Sequence, residues 1–297
     1  MILEARKHGN NVHEFRVYKD HLFFLISDLH WDNPKCDLDT LKEHLDEAVE
    51  LGATILINGD FFCLMQGRYD GRRIKGDVRP EHNTPSYLDN VIDTAVEWFK
   101  PYAEHIGMIG YGNHETSILK HCETNVLQRF VDLMNHKYKT RIQLGGYGGY
   151  IAIPVSRRKN GKSPLTFGIH YYHGSGGGGV VTKGVIQNNR LATFIRGVDM
   201  IWQGHVHEYY LHSDMVSGLE HNSEGFCVKQ RYLHHLRTPA YKEEYQDGSK
   251  GWHVERMAPP KPIGGAYLKL EHVTTMKDGK QIEYVHSTIT PKLKELH

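Results

Sequence analysis

The chain has 297 residues, of which 39% are hydrophobic and 24% charged, with a net charge of +1. That length can bury a sizeable core, and the near-neutral charge argues neither for nor against a nucleic-acid partner, because local patches matter more than the total. The start, Met1-Ile-Leu-Glu-Ala-Arg-Lys7, lacks an apolar signal segment, and no apolar run approaches membrane-spanning length, so a cytoplasmic protein with no membrane partner is expected.

Residues 13–18 alternate weakly and residues 22–27 are strongly apolar, which predicts a hairpin whose second strand ends at Ser27-Asp28-Leu29-His30. Leu38, Leu41, Leu45, Ala48 and Val49 recur at helical spacing, and Gly52 closes that helix. The β-branched run 53–60 then reads as a buried strand stopping at Asn58-Gly59-Asp60, so the opening is β-α-β with a parallel pair. Residues 61–86 read as an inserted basic loop containing Arg68, Arg72 and Arg73 beside Tyr69. A helix over 87–102, a strand over 105–111 ending at Gly112-Asn113-His114-Glu115, and one helix over 117–135 follow.

Residues 149–155 and 165–172 read as strands around Asn160-Gly161, a hairpin signal, and lead into His173-Gly-Ser-Gly-Gly-Gly-Gly179. A helix over 185–196 and a strand over 199–203 end at Gly204-His205-Val206-His207. Residues 213–262 are polar and Gly/Pro-rich and read as an irregular C-terminal segment, before a last hairpin around Asp278-Gly279. The expectation is one domain over 1–297, with that last hairpin completing the second of two packed sheets. Four cysteines (Cys36, Cys63, Cys122 and Cys227) are scattered with no Cys-x-x-Cys pair, which suits a reducing compartment and not a cysteine-based zinc site.

Five strand ends thus each present a metal-type ligand: Asp28 with His30, Asp60, Asn113 with His114, His173 or His170, and His205 with His207. No one of these is specific alone; Asp60 reads equally well as a turn residue, and His205-x-His207 as an exposed or packed pair. Their joint occurrence, in order and each after an apolar run, is what points to a site. Carboxylate, imidazole and amide oxygen together suit manganese, iron, zinc or nickel rather than magnesium or calcium alone.

These five elements, Asp-x-His, Gly-Asp, Gly-Asn-His-Glu, His-Gly and Gly-His-x-His, resemble the calcineurin-like metallophosphoesterase superfamily, and they span Asp28 to His207. The run from His173-Gly174 through Thr182-Lys183-Gly184 to Gly204-His205 is similar to phage and prophage members. The resemblance implies a four-layer α/β/β/α sandwich and a two-metal phosphate-ester hydrolase, with manganese the first choice of metal. Asp28, His30 and His207 would hold one metal, Asn113, His173 and His205 the other, and Asp60 would bridge them. A hydroxide between the metals would attack phosphorus in line, and His114 would donate a proton to the leaving group. The position directly before Gly favours His173 over His170 as the ligand. Ser/Thr protein phosphatases carry a second Asp and an Arg soon after Gly-Asp; here Phe61-Phe62-Cys63-Leu64 stands instead, which argues against that activity.

The leading substrate class is nucleic acid or nucleotides, from the basic set Arg68, Arg72 and Arg73 and the phage-like run; a solvated basic loop is the plainer reading of those arginines. A small-molecule phosphatase, a cyclic-nucleotide phosphodiesterase and a metal-free scaffold of the same fold are the alternatives. Gly174 to Gly179 reads either as a phosphate nest or as a spacer. No obligate protein partner is evident.

Overall fold

The computed structural model describes residues 2–9, 11–64, 78–159, 165–222, 225–245, 252–255, 257–277 and 279–296. Arg68, Arg72, Arg73, Asn160 and Gly161 lie outside them. The architecture is mixed α/β, with two mixed sheets.

One sheet contains β1 (Ile2–His8), β2 (Val12–Tyr18), β7 (Gly148–Ser156), β8 (Thr166–Tyr172), β9 (Met200–Gln203), β11 (Gly225–Arg237) and β10 (Tyr210–Asn222), in that spatial order. The other runs β13 (Lys280–Leu293), β12 (Gly264–Lys277), β3 (Asp20–Ile26), β4 (Thr54–Asn58), β5 (Ile106–Gly110) and β6 (Gln143–Leu144). Within the second sheet β3, β4 and β5 are parallel, and within the first β8 and β9 are parallel. Their carboxyl ends therefore gather in two sets, and those ends are where an open α/β sheet binds its ligands.

Strand alternation decides the packing. Phe23, Leu25, Leu56 and Met108 from one sheet meet Phe15, Val17, Ile153, Ile169 and Trp202 from the other in a buried cluster. Phe24, Ile26, Ile55 and Ile57 point the opposite way, into a second cluster with the helices α1 (Leu38–Glu50), α2 (Tyr87–Trp98) and α4 (Val126–Tyr138). Helix α1 buries Leu41, Leu45 and Ala48 on one face, and Asp37 caps it by accepting the Thr40 N–H at 3.1 Å; such a cap contributes about 1 kcal/mol. Helix α5 (Val185–Phe194) lies over a small third cluster of Val198, Ile201 and Leu233.

Four expectations need correction. β2 and β3 do not form a hairpin: β2 pairs with β1 and β7, β3 with β4 and β12. Lys19, at φ 56°, turns the corner, and the strands part so that Phe15 and Val17 face Phe23 and Leu25 across the core. The single helix over 117–135 is two helices, α3 (Asn113–Cys122) and α4, parted by Glu123 at φ 50°. The final hairpin joins the sheet of the first half of the chain, through antiparallel β12–β3 pairing, rather than the sheet built mainly by the second half. Much of the supposedly irregular stretch 213–262 is the long β10–β11 ribbon, whose cross-strand pairs run unbroken from Tyr210–Arg237 to Asn222–Gly225. Its ladder hydrogen bonds hold it where the sequence shows no core pattern. Among the described residues no helix is long and apolar enough to cross a membrane, and the four cysteines are free thiols.

Candidate metal centre

The ends of β3, β4 and β9 leave their sheets through left-handed backbone. Asp28, His30, Asp60, His205 and His207 all have positive φ, between 47° and 72°. For residues with a Cβ this conformation costs roughly 1–2 kcal/mol each, and such strain gathers where a backbone must aim functional side chains. The loops after β3 and β4 support one another there: Asp28 N–H donates to Gly59 O, and His30 N–H to Asp60 O, both at 3.0 Å.

The motif glycines admit this crowding. A Cβ on Gly112 would fall inside the Asp60 carboxylate, and one on Gly204 would fall on Asp28 Oδ2. Gly112 has φ −109°, so its requirement is steric and not conformational. Gly112→Ala should therefore lower stability by about 1–3 kcal/mol, as overpacking does, and displace Asp60. Thermal unfolding of metal-free protein would show the loss, and metal titration should show weakened binding.

The eight residues singled out after the strand ends come together. Asp28 and Asp60 are 0% and 2% exposed. One group comprises Asp28, His30 and His207, with His207 Nε2 3.5 Å from Asp28 Oδ1 and 3.3 Å from His30 Nε2. A second comprises Asp60, His173 and His205, with Asp60 Oδ2 3.3 Å from His173 Nε2. Asn113 Oδ1 completes it at 2.9 Å from His205 Nδ1 and 3.2 Å from His173 Nε2. Asp60 Oδ2 also lies 4.0 Å from His30 Nε2, so the one carboxylate faces both groups. His170 is elsewhere: it sits on β8 against the Tyr150 ring, its neighbours Ile169 and Tyr171 pointing into the inter-sheet core.

The donor set fits divalent cations. Burial, and next the charge of His114, keep His30 well below the usual imidazole range; burial, and next His173, lower His205. Both rings therefore stay neutral near pH 7 and keep the lone pair a metal requires. Burial opposes charge on His173, but the Asp60 and Asp28 carboxylates outweigh it and push the ring up to about 10. An entering cation must displace that proton, so its affinity should climb as pH rises towards 10.

His114 stands beside the second oxygen of this carboxylate. Its backbone N–H donates to Asp60 Oδ1 at 3.0 Å, and its Nδ1 lies 2.5 Å from the Cys63 carbonyl. A carbonyl partner requires a proton on Nδ1, and Nε2 lies 3.8 Å from Asp60 Oδ2.

Three further residues, given no role in the site by their place in the sequence, contribute to it. Glu115 accepts N–H groups from Phe62 at 2.8 Å and Gly112 at 2.9 Å, tying together the loops that carry Asp60 and Asn113. Burial and then the charge of Asp60 push its carboxyl up to about 8. Asp32 accepts from Cys63 N–H at 2.5 Å, Leu64 N–H at 3.0 Å and the Tyr87 hydroxyl at 2.9 Å. The available signal was a carboxylate just past His30, near an apolar loop whose N–H groups needed acceptors. Cys63 Sγ forms a third close group with His30 and His114, and nothing in the spacing of a lone cysteine announced it.

No family model and no curated protein matches this chain. Two solved structures are similar to it. Vacuolar Protein Sorting 29 from Cryptosporidium parvum is 14% identical with a TM-score of 0.37, over 92% of this chain and 100% of that one. GAP50, the anchor in the inner membrane complex of Plasmodium, is 13% identical with a TM-score of 0.40, over 93% of this chain and 90% of that one. Likenesses this loose assign no family, and the reading of the site rests on its own residues.

Proposed function

We propose that this protein is a dinuclear metal-dependent phosphoesterase of the calcineurin-like metallophosphoesterase type, acting on phosphodiesters, with nucleic acid or nucleotides as the substrate class. The observation that carries the reading is the Asp60 carboxylate facing two separate groups of histidine nitrogens. Asp28, His30 and His207 would hold one cation, and Asn113, His173 and His205 the other, with Asp60 shared. Two such cations, when bound, supply Lewis-acid charge to a phosphate and lower the pKa of water.

The chain's own residues do the rest. His114, its Nδ1–H donating to the Cys63 carbonyl, would in its imidazolium form carry a second proton on Nε2 and pass it to the departing oxygen, leaving the neutral ring. Glu115 and Asp32 hold the loops that aim Asp60 and His114. The wider reading is one domain in the four-layer α/β/β/α arrangement, working in a reducing cytoplasm. The preference for nucleic acid rests on Arg68, Arg72 and Arg73 and the phage-like run from His173 to His205.

The test is a substrate panel on manganese-loaded protein: bis-p-nitrophenyl phosphate, single-stranded and duplex DNA, RNA, cyclic nucleotides and phosphomonoesters. Turnover of diesters, with nucleic acid among them, is expected. Cleavage of monoesters alone would refute the nuclease preference, and no bound metal with no turnover would refute the enzyme.

A further inference from the structure

The β10–β11 ribbon runs out from the molecule, and its two faces differ in kind. In an antiparallel pair, directly opposed residues share a face. The pairs Met215–Tyr232, Leu219–Val228 and His221–Phe226 therefore lie on one side, in line with Leu211–Leu236. Leu236 is buried in the core between the sheets. That side of the ribbon is thus the continuation of the inner face of its sheet, carried past the place where the other sheet covers it. On this side His234 Nε2 still reaches Ser287 Oγ of β13, at 3.1 Å.

Beyond that contact the apolar side chains are bare. Met215, Leu219, Phe226, Val228 and Tyr232 are each between 58% and 76% exposed. Among the described residues this face carries no Lys, Arg, Asp or Glu. Asp214, Glu220, Lys229 and Arg231 all project from the opposite face, where Lys229 pairs with Glu220 and Arg231 with Asp199. A ribbon that had only to stay soluble would carry charge on both faces, and a two-stranded ribbon by itself is at best marginally stable.

We infer that this face packs against the same face of a second copy of the chain, about a two-fold axis near the Leu219–Val228 pair. The area is sufficient: five side chains of this size at these exposures present about 700 Å² per copy, or about 1,400 Å² for two, within the roughly 1,200–2,000 Å² of stable specific interfaces. Charge permits it too. A face without charged groups meets no like-charge repulsion from its own copy, and at a net charge of +1 the chains do not repel as wholes. A phosphate backbone finds no cation on this face, so nucleic acid is not its occupant. Isologous pairing of one patch with itself is the commonest way such a surface closes.

Light scattering coupled to size exclusion, on the full chain over a range of concentrations, tests this directly. The expected result is a dimer that Leu219→Asp converts to monomer, with the dissociation constant raised at least 100-fold. Lys229→Ala, on the opposite face, should leave the dimer intact. Unchanged far-UV circular dichroism and metal content would show that Leu219→Asp still folds, and Met215→Asp provides an independent disruption of the same face. A wild-type chain that stays monomeric at every concentration, or a dimer that survives both Asp variants, overturns the inference. Wild-type monomer recovered only in complex with another protein or on lipid vesicles overturns it equally.

Discussion

Asp60→Asn should abolish binding at both cation positions together while leaving the fold in place. The substitution is nearly isosteric, and an amide oxygen can still accept the His114 N–H now held at 3.0 Å. Asp60→Ala is the poorer variant, since an unpaired buried N–H costs about 1–3 kcal/mol. What Asn lacks is the charge that His173 and His30 face from 3.3 and 4.0 Å. Affinity should fall more than 100-fold at both positions, beyond the roughly 10–100-fold typical of outer-shell changes. Activity should fall by at least about 10³-fold. Metal analysis after dialysis gives the stoichiometry. Thermal unfolding gives a second readout, because ligands that bind only the folded state raise its stability. Added manganese should raise the melting temperature of the wild type and leave that of Asp60→Asn almost unchanged. His207→Ala should chiefly weaken one ion, because His207 belongs to the Asp28–His30 group. Two ions retained by Asp60→Asn would refute the shared carboxylate.

His114→Ala should separate chemistry from metal binding. Its ring is steered by Asp60 and the Cys63 carbonyl to the edge of the group, and the two nitrogen groups form without it. Metal content should stay close to wild type. Turnover should depend on the leaving group: for an alkyl or nucleoside alkoxide, which needs a proton, kcat should drop about 10²–10⁴-fold. For p-nitrophenolate, a good leaving group, the drop should be much smaller. A donor works only while protonated, so the wild type should lose activity towards poor leaving groups as pH rises. His114→Ala should lack that limb of the profile. Equal losses on both kinds of substrate would point to positioning rather than proton transfer.

Much of the frame was legible in the sequence because buried parallel strands advertise themselves. The runs before Asp28, Asp60 and Asn113 are largely apolar on both faces, and each gives way to a polar residue within three positions of its strand's end. A parallel strand needs no partner in the adjoining sequence to be recognised. The residues at those ends were therefore nameable in advance, and the structure brings them within contact of one another. His170 and His173 parted for a similarly local reason, since alternation puts His170 on the sheet face turned away from the inter-sheet core while His173 lies past the strand end.

What the sequence by itself determined was which residues end the buried strands, because local periodicity and a polar stop are properties of a few neighbouring residues. Where those ends go was decided by the tertiary structure. Whether β2 and β3 pair or part depends on which face of each finds apolar company from residues more than a hundred positions away. The β10–β11 ribbon has no local apolar pattern of a core strand and is held by its ladder and by β9. The sharing of Asp60 between two groups of histidines likewise exists only once β4 of one sheet meets the ends of β8 and β9 of the other. Distance along the chain carries no information about that meeting; burial of both inner faces against each other brings it about.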